Sequence, residues 1–180
     1  MGELSFGQPT GAVIQMAYVV SDLTAAIDGW IRDLHVGPWF RLDGFDGGAD
    51  AIYRGGSSRA QVNLAMAFSG HIQIELIQPT DQEPSVYRDT VTDRGFGFHH
   101  FGVASDDVDA DIAALESNGY EVAFVASVPT GSRVVYMDGG PGRAGMIELI
   151  PTSGAMQEMW GRYYRAALGW DGTEPVRLFG

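Results

Sequence analysis

The chain has 180 residues, 45% of them hydrophobic, 11% aromatic and 19% charged, which is the composition of a globular protein with room for a substantial core. Its net charge of −12 comes with no lysine, all 11 basic residues being arginine, and this excludes a lysine Schiff base and the basic footprint that nucleic acid needs. The absence of cysteine excludes disulfides, thiolate metal sites and cysteine nucleophiles, and no apolar run approaches the ~18 residues of a membrane span. Residues 1–11 carry neither a basic n-region nor an apolar h-region, so a cytoplasmic location is expected.

In chain order, "VIQMAYVV" at 13–20 reads as a strand, and Ser21-Asp22 then offers a helix N-cap. Leu23, Ala26, Ile27, Trp30, Ile31 and Leu34 follow at helical spacing and form one apolar stripe. Strands are predicted near 37–43, 50–55, 60–68 and 71–77, with glycine-rich breaks such as "DGFDGGAD" between some of them. Residues 12–80 are therefore one module, and the polar stretch 81–96, with a short helical pattern, is a linker.

The second half repeats this order. "GFHHFGVA" is a strand, Ser105-Asp106 the cap, and Val108, Ile112 and Leu115 the apolar stripe of a helix that ends at "SNG", with Gly119 left-handed. Strands follow near 121–127, 132–137 and 145–150, so residues 97–151 form a second βαβββ module. "DGGPGRAG" at 138–145 precedes a strand instead of opening a helix, and reads as a turn, not a phosphate loop. Met156, Met159, Trp160, Tyr163, Tyr164, Ala167 and Leu168 predict a third amphipathic helix, with an irregular tail to residue 180. The fold class is α+β: two βαβββ modules forming a curved mixed sheet around a cleft, plus a C-terminal helix and tail (152–180).

Four polar residues stand out on these apolar strands. Gln15, Ala17 and Val19 share one face of the first strand; His100, Gly102 and Ala104 make the small-residue face of its counterpart, which pairs Gln15 with His100. By the same alternation His99, Phe101 and Val103 face the other way, so His99 should pack beneath a helix. "IELI" occurs twice, at 74–77 and 147–150, which embeds Glu75 and Glu148 at matching ends of the two modules. A carboxylate in an apolar strand is costly unless paired or metal-bound. Arginine partners would satisfy the two glutamates; so would a divalent metal such as Zn, Mn, Fe, Co or Ni, which suits one imidazole with carboxylate and amide oxygens. His71 at the start of a strand is expected in solvent, and His35 at a helix C-terminus. Trp39, Phe40, Phe45, Tyr53, Phe68 and Tyr136 are divided between core and pocket.

The paired modules, the entry "AYVVSDLTAAIDGW" and its echo "FHHFGVASDDVDADIAAL" resemble the vicinal oxygen chelate superfamily of glyoxalases, methylmalonyl-CoA epimerases, extradiol dioxygenases and bleomycin-resistance proteins. The similarity covers about residues 12 to 151 and lies nearest the epimerase and glyoxalase-like branch. It implies a metal held by one residue from the first and one from the last strand of each module: Gln15, Glu75, His100 and Glu148, with Gln15 where the family often has histidine. The implied activity is that of a metal-dependent isomerase, epimerase or lyase, in which Glu75 or Glu148 takes the proton beside a metal-bound carbonyl and an enolate results. The expected substrate is a small apolar or aromatic carbonyl compound. The alternative is a non-catalytic drug- or metabolite-binding protein of the bleomycin-resistance type. One histidine with two glutamates disfavours ring-cleaving dioxygenase chemistry. A homodimer is expected from the resemblance and from the aromatic C-terminal helix.

Overall fold

The structure is a computed structural model describing residues 2–180. The first half runs β1 (Val13–Val19), α1 (Leu23–Leu34), β2 (Trp39–Phe45), β3 (Ile52–Tyr53), β4 (Gly56–Ser57), β5 (Val62–Ser69) and β6 (Ile72–Pro79). α2 (Val86–Arg94) occupies the linker. β7 (Gly97–Ser105), α3 (Val108–Ser117), β8 (Glu121–Ser127), β9 (Arg133–Asp138) and β10 (Met146–Pro151) follow, then α4 (Gly154–Ala167) and β11 (Val176–Leu178).

All described strands join one mixed sheet in the order β11-β2-β5-β6-β1-β7-β10-β9-β8-β3-β4. Its central eight strands, β2-β5-β6-β1 and β7-β10-β9-β8, read as the same arrangement in opposite directions, meeting at the antiparallel β1–β7 pair. Each module's last strand runs parallel to its first, β6 on β1 and β10 on β7, so four strands from two halves lie side by side at the centre. The helix caps show the same repeat. Asp22 accepts from the Ala25 amide at 2.9 Å, and Asp107, one residue beyond the expected pair, accepts from Ala110 at 3.0 Å.

α1 and α3 cover one face. Leu23 and Ile27 pack on Ile74, Leu76 and Trp39, while Val108, Ile112 and Leu115 pack on Val135, Met137 and Leu149. The other face is the cleft, whose core includes Phe40, Leu64 and Phe68 together with Val86 and Tyr87 of α2 and Met156, Trp160 and Tyr163 of α4.

Two departures from expectation shape this cleft. The segment at 50–57 does not complete its own module: β5 pairs directly with β2, so the short β3–β4 hairpin finds the free edge of β8 instead. The connection is anchored by the Ser127 amide donating to the Gly47 carbonyl at 2.8 Å. Gly47 has φ +77 and lies where a Cβ would meet Ala51, Ala126 and Phe124 at 3.1–3.2 Å, so both conformation and space ask for glycine. The tail is also ordered into β11, which adds to β2 in parallel (Val176↔Trp39).

α4 lies inside the cleft, not on an outer surface. Its apolar side is covered by the chain itself: Trp160 packs on Phe6 and Phe68, with ring centroids 5.4 and 6.1 Å away, and Tyr163 stacks on Phe40 at 3.7 Å. The aromatic stripe is therefore core, and it supplies no ground for a dimer. Among the described residues no helix is long and apolar enough to cross a membrane.

Because Trp160 is only 3% exposed, Trp160→Ala is expected to cost about 3–5 kcal/mol of stability in urea denaturation. A loss below about 1 kcal/mol would show that α4 rests on the sheet without belonging to the core.

Candidate metal centre

Gln15, Glu75, His100 and Glu148 meet on the cleft face at the centre of the sheet. β1 supplies Gln15, β6 Glu75, β7 His100 and β10 Glu148, one residue from each of the four central strands. All four are buried, at 1%, 4%, 0% and 5% exposure respectively. His100 Nε2 lies 3.1 Å from Gln15 Oε1, 3.1 Å from Glu148 Oε2 and 3.6 Å from Glu75 Oε2. One donor atom from each of Glu75, His100 and Glu148 falls within 4.8 Å of the others.

The room for this convergence comes from Gly102. It lies beside both Gln15 and Glu148 in the ladder, and a Cβ there would approach the Gln15 side chain to 2.7 Å and Ile150 Cδ1 to 2.8 Å. The Gln15 amide is held in turn by Gln73, whose Oε1 accepts from Gln15 Nε2 at 2.9 Å, so Gln15 Oε1 faces His100.

No arginine reaches either glutamate among the described residues; the ionisable partner of both is His100. The alternative of carboxylates paired with arginine is thus set aside, and the charges must be neutralised by protons or by a cation. Burial pushes the Glu148 carboxyl up to about 8, with the Tyr136 hydroxyl pulling it partly back. Burial and the facing Glu148 charge raise Glu75 well above the carboxylate range. Burial lowers His100 to about 3, which keeps its imidazole neutral and able to offer a lone pair. Three oxygens and one imidazole nitrogen, buried together and short of positive charge, are the donor chemistry of a divalent cation site.

The two adjacent histidines correct the alternation on which their separation was predicted. Ala17 pairs with His100 and Tyr18 with Phe98, so His99 is an extra residue in β7, a β-bulge. Phe98 and Phe101 keep to the helix side, with Phe98 edge-on to Tyr18, while His99 and His100 both turn to the cleft side. His99 does pack against a helix, but that helix is α2 in the cleft: its Nε2 lies 3.2 Å from the Val86 carbonyl.

Above Gln15, Glu75 and Glu148 lies a cleft of about 640 Å³, its open mouth included. Its walls are apolar, among them Leu42, Phe45, Phe124, Met159, Trp160 and Phe179. Of the aromatic residues divided between core and pocket, Phe45 and Tyr136 line the cleft. Trp39 lies under α1, Phe40 and Phe68 pack on α4, and the Tyr53 hydroxyl donates to Asp89. His71 is away from the centre, its Nδ1 2.8 Å from the Phe6 carbonyl and its ring stacked on Tyr164. His35 caps α1 in a left-handed conformation and stacks on Trp170. The stripe of α4 marked a buried face in the sequence but not its place in the cleft wall, and Phe179 and Tyr87 carried no signal, since each arrives from a segment outside the repeat.

A family model described as Glyoxalase/Bleomycin resistance protein/Dioxygenase superfamily matches residues 14–136. Among solved structures, a hypothetical protein from Bacillus halodurans C-125 is similar with TM-score 0.59 and 17% identity, covering 79% of this chain and 94% of that one. A methylmalonyl-CoA epimerase in complex with methylmalonyl-CoA and NH4+ gives TM-score 0.59 and 17% identity over 82% of this chain and 98% of that one. The methylmalonyl-CoA epimerase from Mycobacterium tuberculosis gives 0.58 and 18% over 86% and 99%. None of the curated proteins matches the chain in sequence.

With its carboxyl at about 8, Glu148 is mostly protonated at pH 7 and must release that proton to a cation, whereas neutral His100 has none to give up. Affinity for Mn²⁺ or Zn²⁺ is therefore expected to rise with pH through about 8, with Glu75 also giving up a proton to the ion. Calorimetry at pH 7 in buffers of different ionisation enthalpy should show more than one and up to about two protons released per ion, since both glutamates are raised. An affinity that is flat between about pH 6 and pH 9 would contradict this electrostatic reading of the centre.

Proposed function

The chain belongs to the glyoxalase/bleomycin resistance protein/dioxygenase superfamily, and we propose that within it this protein is a divalent-metal-dependent isomerase, epimerase or lyase that removes a proton from the carbon beside a carbonyl. The observation that carries this reading is the pair of buried carboxylates flanking a neutral imidazole at the closed end of an apolar cleft. A divalent cation held by Glu75, His100, Glu148 and Gln15 would supply Lewis-acid polarisation of the substrate carbonyl.

The residues divide the remaining work. Glu148, 3.1 Å from His100 Nε2 at the closed end of the cleft, is the carboxylate assigned to take and return the proton of a substrate held there. Its carboxylate oxygen takes the α-proton, and the C–H electron pair moves toward the carbonyl oxygen to form an enolate. Glu75 comes from the equivalent strand of the other module, β6 against β10, so the centre offers one carboxylate from each half. Taking the proton with one and returning it with the other inverts the carbon; return to a neighbouring carbon isomerises; loss of a β-leaving group makes the reaction a lyase. Gln15 Oε1 is a neutral ligand oriented by Gln73 and adds no charge to the set.

The cleft selects for a small apolar or aromatic carbonyl compound. Among the described residues no arginine lines it, and Arg54 is committed to Asp89 and Asp138 at 3.0 and 2.8 Å, so the phosphates of an acyl-CoA find no partner inside. Dioxygenase chemistry of the two-histidine type is disfavoured because His99 turns one nitrogen to His100 and the other to Val86. The apolar walls would also suit a non-catalytic binding protein, and isotope exchange separates the two readings.

The metal-loaded protein, incubated in D2O with a panel of apolar and aromatic ketones and aldehydes, should catalyse deuterium entry at the α-carbon, followed by proton NMR. Glu148→Gln is expected to lower the exchange rate ~10²–10⁴-fold with the melting temperature unchanged or raised. Full exchange by this variant would sink the assignment of Glu148 as base, and tight binding with no exchange by the wild type would establish the binding-protein reading.

A further inference from the structure

The cleft is closed at its first-module end by a single side chain from the tail. Met66 on β5 pairs with Glu75 across the ladder, and Leu64, two residues away on the same face, pairs with Leu42 of β2. All three line the cleft, so an apolar track leads from the centre outward over β5 and β2. Met156, Met159 and Trp160 of α4 roof it. The neighbouring route over Phe40 is filled, since Tyr163 stacks on that ring with centroids 3.7 Å apart. Beyond β2 comes only β11, the last strand on this side of the sheet. There the Phe179 amide donates to the Arg41 carbonyl at 3.0 Å, and the Phe179 ring meets Tyr163 of α4 edge-on at 5.9 Å. Phe179 thus fills the gap between the floor at Leu42 and the helix above it.

β11 otherwise adds little to the core. It pairs with β2 over three residues, and Val176 and Leu178, on its other face, are 45% and 88% exposed. Phe179 is the one side chain of the tail that lines the cleft. We propose that Phe179 is the specificity-determining end stop of the cleft: the substrate is a carbonyl compound with an unbranched apolar chain lying over Met66, Leu64 and Leu42, and Phe179 sets the longest chain that fits. The Phe40–Tyr163 stack on one side and Phe45 on the other keep the track narrow, which suits an unbranched chain. Three strand spacings separate Glu75 on β6 from Phe179 on β11, about 14 Å across the sheet. A chain that ends short of the stop gains with each methylene taken out of water. One that reaches it must push the Phe179 ring off Tyr163 or bend, and the gain ends there.

The inference rests on the proposed carbonyl chemistry for the head of the substrate, but the stop itself is read by binding alone. The full-length wild type, Phe179→Ala and Phe179→Trp are titrated with straight-chain methyl ketones from butanone to dodecanone. Tryptophan fluorescence follows binding, Trp160 being in the cleft wall. Wild-type affinity should rise about fourfold per methylene up to a limiting length and then stop rising. In Phe179→Ala the limit should move to longer chains, the first ketone past the wild-type limit binding at least about fourfold more tightly than to the wild type. Phe179→Trp keeps an aromatic ring against Tyr163 and so tests the stop even if the alanine variant does not fold; its limit should move to shorter chains. The same limit in the wild type and the variants, a rise without limit in the wild type, or no saturable binding would overturn the proposal. The metal-loaded proteins are then compared for deuterium exchange into the same ketones. A limit that shifts with no exchange in any protein keeps Phe179 as the stop and removes the proton-abstraction reading. Exchange indifferent to chain length in all three removes the stop and keeps that reading.

Discussion

Two glutamates, one glutamine and one histidine meet in a buried space that contains no arginine, and this shortage of positive charge governs the centre of the molecule. An isolated buried carboxylate is so unfavourable that it takes up a proton or finds a cation. Here two face each other across a neutral imidazole, and burial has pushed both carboxyls upward and the imidazole downward. A cation or protons can fill the deficit, in competition. Apolar residues at these positions would pack the sheet more cheaply.

The sheet is arranged to bring those four residues together. Parallel pairing of each module's last strand with its first carries Glu75 beside β1 and Glu148 beside β7, and the antiparallel β1–β7 pair joins the halves. No two of the four lie on the same strand, so one local register shift would displace only one of them. Gly102, between Gln15 and Glu148, keeps the floor open where a methyl group would collide with Gln15. The helices divide by face: α1 and α3 stiffen the back of the sheet, while α2 and α4 build the cleft walls.

What was legible in the sequence was whatever repeats. The two IELI strands, the caps followed by apolar stripes, and the small-residue face of β7 gave the modules and brought Gln15, Glu75, His100 and Glu148 to one place. The true caps, Asp22 and Asp107, are 85 residues apart, as are Gln15 and His100, whereas the Ser21-Asp22 and Ser105-Asp106 pairs read as caps in the sequence are 84 apart. Long-range choices with no periodic signature were not legible. A two-residue strand pairs with whichever edge is free, and β3 took that of β8. The tail "VRL" is too short for alternation to mark it, yet β2 had an open edge. The aromatic stripe of α4 announced a buried face without saying what would cover it.

The HisHis dipeptide shows where local rules and function part. Strand alternation sends neighbours to opposite faces, and it holds along β7 for Phe101, Gly102, Val103 and Ala104. One inserted residue suspends it, and a bulge leaves no mark in a single sequence because any residue can be the extra one. Had the ladder continued unbroken, His99 would lie under the helices. The bulge instead places His99 between His100 and the Val86 carbonyl at the start of the linker helix. α2 thereby gains a connection to the centre that its own polar sequence does not disclose.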